Sequence, residues 1–136
     1  MKASLSGALA ALVLLLPACA AEPKLAPYGQ PVRFAKNRVI EFHDFTVRYL
    51  GQRRVSSPVF KPGFLYYDFE VAGRGGPQTV SWSSGTGVID AASFKVDGRP
   101  YELELKATVA RKGWMRDDEM VVWPEADFQK AARVRR

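Results

Sequence analysis

The chain has one cysteine, Cys19, and one histidine, His43. A single thiol excludes an internal disulfide. The two counts together leave no Cys/His cluster with which to build a metal site, and histidine-based catalysis has one candidate. At 136 residues the chain is too short for two ordinary domains. Charge is missing altogether from Ala3 to Ala21, and Ala8 to Leu16 is apolar throughout. That run is too short to span a bilayer and fits the apolar region of an export signal. No internal repeat is visible. Charge of one sign does not dominate: 20 Lys and Arg stand against 14 Asp and Glu, a net of +6. Only the tail, Arg133, Arg135 and Arg136, is a basic cluster. Export argues against nucleic acid as the partner of this charge, and lipid headgroups are the less demanding match.

What is present divides the chain into three. Residues 1–18 read as the signal peptide, 19–31 as a Pro-rich tether and 32–136 as a single β domain. The signal ends Leu16-Pro17-Ala18-Cys19-Ala20, with Leu16 three residues before the cysteine and a small residue just before it. This segment resembles a bacterial lipoprotein export signal. The resemblance covers residues 1–19. It implies that Cys19 is acylated, becomes the new N-terminus and holds the protein in a membrane, because several acyl chains anchor effectively for good. By the same resemblance, an uncharged Ala20 implies the outer membrane of a diderm host, with the domain facing the periplasm. Ordinary cleavage after Ala18-Cys19-Ala20 is the alternative and gives a soluble periplasmic or secreted protein. Residues 21–31 hold Pro23, Pro27, Pro31 and Gly29, a composition that favours extended chain over helix.

From Val32 the dominant period is two. Phe45, Val47 and Tyr49 alternate with polar residues, as do Leu65, Tyr67, Phe69 and Val71, then Val80 and Trp82. Tyr101, Leu103 and Leu105 alternate with Glu102, Glu104 and Lys106, and Ala107 and Val109 extend that face. Glu119 to Trp123 is apolar on both faces. Half-buried runs of β-branched and aromatic residues, punctuated by Gly and Pro, predict antiparallel strands. Asp97-Gly98 predicts a type I′ hairpin that sets Val96 against Arg99, Lys95 against Pro100, Phe94 against Tyr101 and Ala92 against Leu103. After Pro124, Glu125 to Arg133 predicts a short helix, with acids early, bases late and Phe128 as its contact to the sheets. The fold class is all-β: a small antiparallel β-sandwich or barrel of about seven or eight strands with a short C-terminal helix. The expected core is Phe45, Val47, Tyr67, Phe69, Val80, Trp82, Phe94, Leu103, Leu105 and Val121.

Four constellations bear on function. Ser81-Trp82-Ser83-Ser84-Gly85-Thr86-Gly87 offers hydroxyls and glycine N–H groups as a binding loop, or is an ordinary tight connection. It lacks the lysine of a phosphate-binding loop, and Trp82 stands where a nucleophile elbow needs glycine. His43 with Ser84 and Asp44 or Asp68 has the residue types of a hydrolase triad; the competing reading is a salt-paired histidine at a strand start. Asp117-Asp118-Glu119, with Asp90, supplies oxygens for calcium but not the Asp-x-Asp-x-Asp-Gly spacing, and reads equally as a charged turn. Trp114 with Arg111 and Arg116 has the residue types of a binding hot spot, or Trp114 folds over an open sheet end. No cofactor, metal or catalytic residue is expected. The favoured function is a non-enzymatic, membrane-anchored envelope protein that binds a partner protein through Ser83, Ser84, Gly85, Thr86, Gly87, Trp114, Arg111 and Arg116. The alternative is an inhibitor or immunity-type protein that blocks an exported enzyme with the polar loop.

Overall fold

The computed structural model describes residues 24–84, 90–109 and 114–134. Within them the chain forms β1 (Val32–Arg33), β2 (Val39–Glu41), β3 (Thr46–Val55), β4 (Phe64–Gly73), β5 (Gly76–Ser84), β6 (Ala92–Val96), β7 (Arg99–Leu105), β8 (Glu119–Pro124) and α1 (Glu125–Arg133). Two separate antiparallel sheets, β1-β8-β7-β6 and β2-β3-β4-β5, make a sandwich rather than a closed barrel. Cys19, Gly85, Thr86, Gly87 and Arg111 lie outside the described residues.

The expected hairpin has the expected register. Ala92, Phe94, Lys95 and Val96 pair with Leu103, Tyr101, Pro100 and Arg99. Asp97 and Gly98 both have positive φ, 50° and 79°, as a type I′ turn requires. The turn does a second job. The Asp97 carboxylate accepts hydrogen bonds from the Arg74 and Gly75 N–H groups at 3.1 and 3.0 Å, which ties the β4–β5 turn of one sheet to the β6–β7 turn of the other. Gly73 makes this approach possible, since a Cβ there would meet Val96 Cγ1 at 2.3 Å.

The inner faces supply one core. Val47, Phe69, Val71, Trp82, Leu103 and Leu105 are fully buried in it. At one end Phe45 packs edge-on to Tyr101 and Phe94, with ring centroids 4.8 and 5.7 Å away, while Phe94 and Tyr101 stack across their strands at 5.7 Å. Phe34, Ile40 and Phe42 also enter the core. They sit on or beside β1 and β2, strands too short to show a period.

Three expectations change in the β7–β8 region. The face carrying Glu102 and Glu104 is not solvated: both are buried. Helix α1 and the segment before β8 cover it, and Met115, Val121 and Trp123 form a second apolar cluster with Val109, Phe128 and Ala131. Val121 therefore belongs to this outer cluster and not to the main core, where Met120 and Val122 sit instead. The strand also does not run on through Val109. It ends at Leu105, and Lys106, with φ of 67°, turns the chain so that Val109 joins the opposite face.

The stretch expected to tether an anchor is laid against the sandwich from Lys24 on. Ala26 N–H donates to Glu41 O at 2.7 Å and Gly29 N–H to Val122 O at 2.9 Å, so the segment bridges the two sheets. Tyr28 stacks on Phe42 at 5.4 Å. Gly29 is held so near the Trp123 ring that a Cβ would lie 2.8 Å from it. Pro27 and Pro31 have no N–H to place, and the Ala26 and Gly29 N–H groups bond to the flanking strands.

Candidate functional site

The sandwich has two distinct ends. At the first, Asp44 precedes β3. Its carboxylate accepts from Tyr28 Oη at 2.9 Å and Tyr101 Oη at 3.1 Å. His43 Nδ1 lies 3.1 Å from Asp44 Oδ1, and Arg99 Nη1 reaches the same oxygen at 3.5 Å. The strap, the β2–β3 corner and the β6–β7 hairpin thus converge on one carboxylate. The hydrogen bonds from His43 and Tyr28 hold Asp44 below the usual carboxylate range. Burial, and then the Asp44 carboxylate, push Tyr101 up, and the same causes push Tyr28 up further. At neutral pH Asp44 is therefore anionic and saturated with donors, and both phenols keep their protons. The cluster fastens three chain segments. Two shallow hollows of about 390 and 280 Å³ flank it, the first toward Glu125 and Gln129, the second between His43, Arg74 and Arg99.

The triad read from the sequence is not assembled. Thr46, next to the His43–Asp44 corner, pairs with Ala72, whereas Ser84 pairs with Leu65 seven residues along β4. At about 3.4 Å per residue that is roughly 24 Å. Asp68 is taken by Arg53, at 2.8 Å, and by Ser81 Oγ. His43 itself is 79% exposed and hydrogen-bonded to Asp44. The acidic constellation is likewise dispersed. Asp117 pairs with Lys106, Asp118 lies 3.9 Å from Arg33, and Glu119 accepts the Arg116 N–H at 3.2 Å. Among the described residues no cluster of His, Cys, Asp or Glu is placed to hold a metal ion.

The second end gathers what the first does not. Ser84 closes β5 there, half-buried, with Ser83 exposed before it and paired to Tyr66. The Trp82 indole donates to Asp90 O at 2.8 Å and anchors the far side of that connection. Lys106 extends its ammonium over the Tyr67 ring at 5.1 Å while bonding Asp117. Partial burial works against the ammonium, but the hydrogen bonds from Lys106 to Asp117 and Tyr67 outweigh it. The pKa ends above the ordinary lysine value, and Asp117 falls below its own. Just beyond, Trp114 bridges to Ala107 and is 75% exposed. Its backbone is not loose, because Met115 N–H donates to Lys106 O at 2.7 Å and the Met115 side chain is buried. Arg116 is exposed alongside. Trp114 therefore does not fold over the sheet end. It stands out from it.

The β3–β4 hairpin turns at this same end, where its last pair, Val55 with Phe64, adjoins the Leu65–Ser84 pair. An extra residue between Tyr49 and Gly51 bulges β3 and reverses which residues face inward. Gln52 and Arg54 consequently share the face of Tyr67 and Leu65, yet both are exposed. On the other face Arg53 lies over the Tyr66 ring at 4.3 Å. The Pro- and Ser-containing tip gave no periodic signal, and nothing in the alternation pointed to it as a surface of its own.

Comparison with protein-family models, with curated proteins and with solved structures finds no match to the chain.

Proposed function

We propose that the chain is an exported cell-envelope lipoprotein, anchored through Cys19, whose β-sandwich binds a partner protein at the end that carries Trp114 and performs no chemistry of its own. The observation behind the binding half is the solvent-facing indole of Trp114 on a backbone fixed by Met115. A rigid exposed tryptophan offers large apolar area at small entropic cost, and a neighbouring arginine adds directional donors. Ser83 belongs to the same end and is exposed there. The anchoring half draws on the position of the lone thiol. Four residues separate Cys19 from Lys24, the first described residue of the strap, a reach of at most about 18 Å. A lipid at Cys19 would keep the domain close against its membrane. Among the described residues no helix is long and apolar enough to cross one.

Two measurements test the two halves separately. Cys19→Ser is expected to move the protein from the membrane fraction to the soluble fraction; a wild-type protein already soluble, with Ala21 as its first residue, would overturn the anchor. Trp114→Ala is expected to abolish in-cell crosslinking to an envelope protein while leaving the unfolding midpoint unchanged. An adduct of equal yield from both proteins would overturn the binding site.

A further inference from the structure

We propose that the tip of the β3–β4 hairpin is an anionic-membrane contact, inserting Val59 and the Phe60 edge among acyl chains while Arg54 and Lys61 meet lipid headgroups. The inference does not depend on acylation of Cys19. It rests on four features of residues 52–64. Val59 is 94% exposed, Val55 is exposed, and Phe60 and Phe64 pack on each other at 5.7 Å without joining the core. Apolar side chains are thus exposed at the end of the hairpin, outside the core that holds the fold.

The second feature is charge. Between Asp44 and Asp68 the sequence contains Arg48, Arg53, Arg54 and Lys61 and no acid at all. Arg48 and Arg53 are matched by Glu70 and Asp68 at 2.8 Å, both below the tip. Among the described residues no carboxylate pairs with Arg54 or Lys61. The tip is therefore apolar at its point and positive at its rim, the arrangement that suits a surface of anionic headgroups over hydrocarbon. A protein groove lined with acids would match the rim but would not call for apolar residues at the most exposed position.

The third feature is how the tip handles its own backbone. Ser57 Oγ accepts the Val59 and Phe60 N–H groups at 3.3 and 3.1 Å, and Gly63 N–H donates to Phe60 O at 2.8 Å. Arg54 Nη1 donates to Pro62 O at 3.3 Å. Prolines 58 and 62 have no N–H to satisfy. The Val59, Phe60 and Gly63 N–H groups, costly to bring bare into an apolar medium, are thus already occupied. The fourth is rigidity: a Cβ on Gly63 would lie 2.4 Å from Val55 O, so the turn closes tightly on the strand beneath it.

The chain's single cysteine makes the test direct. In the full chain carrying Cys19→Ser, Val59→Cys is labelled with an environment-sensitive fluorophore, and Gln129→Cys at the opposite end serves as the reference site. With vesicles of phosphatidylglycerol, the label at 59 is expected to shift to the blue and that at 129 to stay unchanged. Vesicles of phosphatidylcholine alone should give little shift, and raising salt from 0.1 to 1 M should reverse most of the effect. Arg54→Gln with Lys61→Gln is expected to weaken partitioning roughly 25-fold, about fivefold for each cation removed. Both side chains are exposed, but Arg54→Gln also removes the bond to Pro62 O, so the variant is read only with an unfolding midpoint that matches the parent's. An unshifted label at 59, equal shifts at 59 and 129, or a shift indifferent to headgroup charge and salt would each overturn the proposal. The first of these outcomes is also what a protein-binding tip would give.

Discussion

At one end of the sandwich Asp44 draws Tyr28, Tyr101, His43 and Arg99 together, and Asp97 clasps the turns of both sheets; at the other, Val59, Trp114 and the rim of the β3–β4 hairpin stand in solvent. The same small molecule has paired its polar groups and stacked its rings at the first end while leaving Val59 and Trp114 uncovered at the second. A domain of this size has little stability to spare. The difference therefore separates residues that hold the fold from residues free to meet something else. It places function where removal of a side chain should cost the fold least.

The largest expected effect lies at the closed end. Phe94→Ala removes a ring packed on Phe45 and Tyr101, and about 3–5 kcal/mol of unfolding free energy should go with it. Denaturant titration measures this. Val59→Ala in the same assay should change stability by less than about 0.5 kcal/mol. Equal losses at the two positions would erase the contrast.

Asp44→Ala comes next. It takes the shared acceptor from two phenols, and about 3 kcal/mol is expected from bonds to a charged group. The pH dependence has a definite sign. The Asp44 pKa is lowered on folding by His43 and Tyr28, so its contribution is complete above the ordinary aspartate value near 4 and disappears as pH falls through the lowered one. The gap in midpoint between wild type and Asp44→Ala should be wide at pH 7 and close below pH 4. A gap that widens on acidification would show that the carboxylate is not what fastens this end.

The alternation and the Asp97-Gly98 pair made the β6–β7 register legible, because a turn of fixed twist and a two-residue period leave one consistent pairing. Helix α1 was legible from Pro124 and its ordered charges. What covers what was not. Glu102 and Glu104 have the spacing of a solvated face, and only the tertiary placement of α1 and Met115 turns that face inward. The Asp44 cluster was hidden for a different reason: Tyr28, Arg99 and Tyr101 lie 16, 55 and 57 positions from it. No local pattern spans such distances. Trp114 was legible as a residue type, but its exposure depends on a backbone turn at Lys106 that alternation does not encode.

Glu104 gives a smaller and sharper test. Its carboxylate, 6% exposed, accepts the Trp123 indole N–H at 2.7 Å and the Val109 N–H at 3.0 Å. Glu104→Ala leaves both donors buried and unmatched, and about 2 kcal/mol should be lost. The Trp123 emission should also move to the red as water enters the outer cluster. Neither change is expected at the main core, because Trp82 lies on the other side of the sheet with its own acceptor at Asp90 O.

The smallest effect on the fold is expected at Trp114. Its indole is three-quarters exposed, and the backbone on which it stands is held by Met115 through a hydrogen bond and a buried side chain. Trp114→Ala keeps both, so unfolding free energy should stay within about 0.5 kcal/mol of wild type. A residue so large and so dispensable to folding is not explained by packing. If truncation instead costs several kcal/mol, Trp114 is part of the outer cluster in solution and the contrast between the ends fails there. If stability holds while crosslinking to an envelope partner is lost, the open end has been separated experimentally from the fold that carries it.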